Sequence, residues 1–147
     1  GRFLWLPWIA CSPQRQSDGL VASHLGFPGF KSQRRIIKVR NGFVIVDRIS
    51  GVIGQRGEFV LRWHGRSRAG LEQLTVACTV ASQEEYVTAL PEGGEGWHST
   101  HYGSKEPSWC RRINATGSDV TFITALGCNL RLEEQSFYVD GEEYPLE

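Results

Sequence analysis

The sequence predicts an all-β chain, an antiparallel β-sandwich, and three observations predict it. Apolar and polar residues alternate with period two over many short runs. Tight-turn residues separate those runs, with 17 glycines among 147 residues and the pairs Asn41-Gly42 and Asp140-Gly141 at hairpin positions. No window sustains the 3.6-residue apolar period of an amphipathic helix. Many short strands with Gly-rich turns bury their apolar faces by packing sheet on sheet.

The elements follow in order. The apolar start, Phe3 to Cys11, is too short and too broken by Pro7 for a signal segment. A strand ending near Pro7 is expected there. Gly19–His24 alternates and is a short strand. Arg35–Arg48 is a hairpin turning at Asn41-Gly42. Phe59–His64 places Phe59, Leu61 and Trp63 on one face and Val60, Arg62 and His64 on the other. Leu74–Ala81 and Asp119–Leu126 are β-branched and alternate. Ser136–Gly141 turns at Asp140-Gly141 and pairs with Glu143–Leu146 as a closing hairpin. The expected central core is Phe43, Ile45, Phe59, Leu61, Trp63, Phe122 and Leu126. The longest irregular segment is Pro91–Gly96, followed by Trp97–Gly103; loops of that length usually carry function or move.

Length fits a single domain spanning 1–147. Sixteen Lys and Arg balance 16 Asp and Glu. That balance argues against a general nucleic-acid binder, which shows a basic bias. Local basic patches at Arg34, Arg35, Lys38 and Arg40, or at Arg111 and Arg112, are weighed against solvated strand faces, which are the commoner outcome. No apolar stretch reaches the length of a membrane-spanning helix. Cys11, Cys78, Cys110 and Cys128 lack the close spacing of a zinc or redox motif. Buried free thiols are the expectation; disulfides would require an exported chain. Asn114-Ala-Thr116 matches a glycosylation sequon, a weak three-residue pattern. The chain starts at Gly1 and contains no Met, as a fragment or processed product would.

Several motifs occur in a telling order. Ser23-His-Leu-Gly-Phe27 precedes Gln33-Arg-Arg35. Phe43-Val-Ile-Val-Asp47 leads to Gly51. Leu61-Arg-Trp-His64 follows, and Trp97-His-Ser-Thr-His-Tyr-Gly103 comes later. In this order and spacing the chain, from about Gly1 to Gly127, resembles the C-terminal β-sandwich of the heparinase II/III-like polysaccharide lyases. Two departures concern packing more than chemistry: Leu25 stands where the family often has Asp, and Gln33 where it often has His.

The resemblance implies a larger parent enzyme that cleaves uronate-containing polysaccharide by β-elimination. That reaction needs a neutralised carboxylate, a base for the C5 proton and an acid for the leaving oxygen. In the family an N-terminal α/α toroid and a His-rich stretch supply these, and neither occurs here. No catalytic residue, metal ligand or cofactor site is therefore carried over. The implied partners are an acidic polysaccharide, met through the parent enzyme, and the toroid; the implied location is a bacterial periplasm or cell envelope. The candidate substrate contacts are Trp97, His101 and Tyr102, whose rings could stack on a sugar; core or inter-domain packing is the commoner role for such aromatics. His98 and His101 could converge on a metal only in a loop, and no acidic or thiol partner completes a set. His24 and His64 are expected as hydrogen-bonded structural residues. A sandwich freed from a toroid should expose apolar surface, expected at Phe3, Trp5, Trp8 and the Trp97–Tyr102 loop. The alternative functions are a non-catalytic carbohydrate-binding module and an interaction β-sandwich of a surface protein.

Overall fold

The structure, a computed structural model, describes residues 11–89, 96–98 and 105–146. Its strands are β1 (Cys11–Gln16), β2 (Gly19–Phe27), β3 (Phe30–Val39), β4 (Gly42–Gly51), β5 (Gly57–Gly65), β6 (Leu74–Cys78), β7 (Ser82–Thr88), β8 (Trp97–His98), β9 (Glu106–Pro107), β10 (Trp109–Gly117), β11 (Asp119–Leu126), β12 (Leu130–Leu132), β13 (Ser136–Val139) and β14 (Glu142–Pro145). A 3-10 turn at Val52–Gly54 follows β4, and a short α-helix, α1 (Arg68–Glu72), precedes β6, with Ser67 Oγ capping it by accepting from the Gly70 N–H at 3.1 Å. Strand takes 71% of the described residues and helix 6%, which makes the fold all-β. Every strand pair is antiparallel.

A six-stranded sheet in the order β1-β2-β3-β4-β11-β6 forms the middle layer. The sheet β5-β10-β7 packs on one face, and the sheet β12-β13-β14 on the other. Strand β11 shows why there are three layers. Val120 and Phe122 point into a core with Leu61, Ile113 and Ala115. Ile123 and Ala125 point the other way, into a core with Ile37, Val44, Val46, Phe137 and Val139. All six residues from Val120 to Ala125 are buried as a result. The buried Thr124 hydroxyl finds a partner, its Oγ1 accepting from Trp63 Nε1–H at 3.1 Å, and the Thr121 main-chain N–H donates to Thr79 Oγ1 at 3.0 Å.

The hairpin turns illustrate how local chemistry sets register. Asp140 and Gly141 form the β13–β14 turn with φ of 50° and 91°, the left-handed pair that a two-residue primed turn needs. The β3–β4 loop is instead Arg40–Asn41, with Val39 opposite Gly42. Neither loop residue has a positive φ. Gly42 is set by proximity: a Cβ there would collide with the Leu126 carbonyl oxygen. The expected turn at Asn41-Gly42 thus lies one residue early, which preserves the strand faces.

The expected core needs correction. Leu61 and Phe122 are buried, and Phe59 and Trp63 pack half-buried against them. Phe43 and Leu126 are 49% and 47% exposed, and Ile45 is half-buried. These three share the face of Phe122, but the covering β5-β10-β7 sheet stops short of them. Their neighbours Val44 and Val46 are core residues because the C-terminal sheet covers the opposite face. The strand expected near Pro7 and the aromatics expected to be exposed, Phe3, Trp5 and Trp8, lie outside the described residues.

Phe122→Ala should destabilise the fold by about 3–5 kcal/mol in equilibrium denaturation, because it opens a cavity between two layers. Phe43→Thr should cost about 1 kcal/mol or less, since it removes a half-exposed ring and keeps a good strand former.

Candidate functional site

The site begins with Gly96. Its φ is 78°, and a Cβ there would strike the Thr88–Ala89 backbone, so glycine lets the chain turn against the end of β7. The Gly96 carbonyl accepts from the Ser108 N–H at 2.7 Å, and Thr88 Oγ1 donates to the Ser108 carbonyl at 3.1 Å. These bonds tie β8 and β9 to the root of β10. Trp97 then lies opposite Pro107, and His98 opposite Glu106. The Trp97 ring is half-buried, and Lys105 Nζ stands 5.7 Å from its centroid. An indole beside an ammonium offers both stacking surface and positive charge. His98 is exposed on the same short ladder. His101 and Tyr102, the other two candidate contacts, lie outside the described residues. No three His, Cys, Asp or Glu converge as a metal set among the described residues.

The other histidines have structural contacts. His24 Nδ1 accepts from the Gly26 N–H at 3.1 Å, and its ring lies 5.4 Å from Phe27. His64 Nε2 is 3.9 Å from Cys110 Sγ, across the β5–β10 ladder. All four cysteines are free, but only Cys110 is fully buried; Cys11 is exposed and Cys78 and Cys128 are half-buried. Burial pushes the Cys78 and Cys128 thiols up, away from the thiolate. Asn114 of the sequon is half-buried in the middle strand of β5-β10-β7, with Val60 and Gln83 as lateral neighbours in a cleft of about 670 Å³.

Most of the proposed basic patch is neutralised. Arg34 donates to Asp47 through two nitrogens at 2.6 and 3.0 Å, and Arg35 pairs with Asp18 at 2.5 Å. The Asp47 partnership raises the Arg34 pKa further. Arg112 lies 3.3 Å from Glu85. Arg111 is inside the fold. Its guanidinium donates to Glu84 at 2.8 Å, to the Leu71 carbonyl at 3.1 Å and to the Leu74 carbonyl, with the Tyr86 ring 5.7 Å away. It thereby joins β10, β7 and the end of α1. Sequence reasoning missed this hub, because two adjacent arginines look like a solvated face. The available signal was Glu84 and Tyr86, alternate residues of a polar run that proves to be β7.

A further cleft of about 630 Å³ opens between the middle and C-terminal sheets, where Arg48, Asp119, Thr121, Glu134 and Gln135 line it. Arg48 holds the Asp119 carboxylate at 2.9 and 3.3 Å, so that carboxylate is committed to an ion pair.

Comparison with known proteins meets this geometry from another side. The family model described as heparinase II/III-like, C-terminal, matches residues 1–142. This chain belongs to the heparinase II/III-like family. Two solved structures of a heparinase III gene product, one with methylated lysines, share its fold at a TM-score of 0.50 and 19% identity. The alignments cover 91% of this chain, but only 27% and 26% of those chains. The chain therefore spans about a quarter of the length of its structural neighbours. No match was found among curated proteins.

The Glu84–Arg111 pair makes a pH prediction. The hydrogen bond from Arg111 holds the Glu84 carboxyl below its ordinary 4.5. A depressed carboxyl stabilises the fold above the unfolded pKa and loses that contribution as pH falls through the folded value. Glu84→Gln should cost about 1–2 kcal/mol at neutral pH, a charge-assisted bond discounted for the exposure of Glu84. Denaturation curves from neutral pH to below 4.5 should show the difference between the two proteins shrinking on the acid side.

Proposed function

We propose that this chain is the C-terminal structural domain of a polysaccharide lyase that cleaves uronate-containing chains by β-elimination. The observation that carries the reading is the family match over residues 1–142. The way the described charges are used supports it further. Asp47 and Asp119 each pair with a surface arginine and Glu84 with the buried Arg111, which suits a scaffold better than a proton-transfer site. The catalytic groups belong to an N-terminal α/α toroid and the polypeptide that links it to these residues. The acidic polysaccharide is met through that parent enzyme, in the periplasm or cell envelope. Trp97, with His101 and Tyr102, contributes a sugar-facing contact at the boundary; Lys105 beside the indole would favour an anionic sugar. An independent carbohydrate-binding module fits less well, because a self-sufficient module has little reason to expose Leu20, Ile36, Phe43 and Leu126 together.

The test is the ultraviolet absorbance of unsaturated uronate ends. Purified residues 1–147 should release none from heparin, heparan sulfate or alginate, whereas the full-length parent should release them from at least one acidic polysaccharide. Turnover by residues 1–147 that disappears on changing His98, His101 or Tyr102 would place the chemistry here and defeat the proposal.

A further inference from the structure

The middle sheet is wider than the layer covering it. On the face shared with Phe122, register aligns Arg15, Leu20, Ile36, Ile45 and Thr124 in one row across β1, β2, β3, β4 and β11. The next row holds Lys38, Phe43 and Leu126. The β5-β10-β7 sheet reaches Thr124 through Trp63 and covers little beyond it. Leu20, Ile36, Phe43 and Leu126 are consequently 53%, 36%, 49% and 47% exposed, and they are lateral or diagonal neighbours. A contiguous apolar surface of this kind marks an interaction site. Its rim is basic: Arg15 and Lys38 lie in the same rows, and Arg40 sits in the adjoining turn. None of these three has an ion pair among the described residues, in contrast to Arg34, Arg35 and Arg48.

We infer that this face is the docking surface for a folded part of the same polypeptide outside residues 1–147, one that presents an apolar centre and carboxylates opposite Arg15 and Lys38. The inference rests on the reading above that these residues belong to a longer protein. The structural neighbours support such an occupant, since 27% coverage leaves most of a heparinase III chain beyond the matched region. Charge decides against the nearer candidates. A second copy packed face to face would bring a second set of unpaired cations, Arg15, Lys38 and Arg40, and no carboxylate from the same two rows. Residues 1–10 are apolar enough to cover the patch, but contain Arg2 and no Asp or Glu, so they offer the rim no counter-charge. The free edge is a poorer docking route than the face, because Pro13 interrupts the donors of β1.

The experiment uses the full-length protein, mixed from isotopically light and heavy preparations, with two readouts. Hydroxyl-radical labelling should modify Leu20, Ile36, Phe43 and Leu126 several-fold more slowly than Ile53, which is fully exposed at the β4–β5 connection. Carbodiimide should join Lys38 to an Asp or Glu outside residues 1–147 within one copy. Arg15→Glu with Lys38→Glu should restore labelling of Phe43 while Phe122 stays protected, which shows that the domain itself remains folded. Labelling of the patch as fast as Ile53, a Lys38 link joining light and heavy copies, or protection without any Lys38 link would each overturn the inference; the last of these would point to residues 1–10. Uronate release by the same preparation separates the two ideas. An active enzyme with an open patch defeats the docking inference alone, and a protected patch in an inactive protein defeats the lyase reading alone.

Discussion

The fold depends on β11 being buried on both faces. Strands β4 and β6 flank it, and its alternate residues feed two separate cores. A strand in that position cannot be half polar in the ordinary way. Of its two inner threonines, Thr124 has its hydroxyl engaged by Trp63, while Thr79 accepts from the backbone N–H of Thr121. The other two sheets are thin, and neither has a buried centre except where it meets this strand and its neighbours. The C-terminal sheet closes one side with Phe137 stacked on Tyr144 at 5.4 Å, and β5-β10-β7 closes the other with Leu61 and Ile113.

The second constraint is the buried guanidinium of Arg111. A cation at that depth would be costly alone, and it persists because Glu84, two carbonyls and the Tyr86 ring surround it. The same atoms fix how α1 and β7 sit on β10. This also shows how the scaffold employs its charges: they pair across strands and layers. The apolar face with Arg15, Lys38 and Arg40 at its border makes no use of such pairing.

What was legible in the sequence followed from local chemistry. Period two gave β11 its observed limits, Asp119 and Leu126, and placed Leu61 and Phe122 inside. The left-handed preference of Asp-Gly located the last hairpin. Strand β10 was illegible because Trp109 to Thr116 mixes adjacent arginines, a cysteine and a sequon, and its inward face accepts a charged residue. The exposure of Phe43 and Leu126 was illegible for a different reason. Alternation identifies the apolar face of a strand, but how far another sheet extends over that face is set by strands distant in sequence. Of the candidate site, Trp97 has a defined place on β8 beside Lys105. The departures at Leu25 and Gln33 fall on β2 and β3, away from either core, in keeping with a family membership that tolerates them.

The central position of β11 also sets a clock. Of the strands described, a ribosome releases β1 to β4 before the rest, and these strands are joined by short turns, so they can form a meander early. Within residues 11–146, the Val44 and Val46 face of that meander has no core to join until residues 119–126 emerge, when β11 pairs with β4 across about half the length of the chain. Strand β6 waits for the same partner. Both cores therefore come together late in synthesis, and until then β4 is an edge with Val44 and Val46 bare. A nascent chain in this interval is the form most in need of a chaperone.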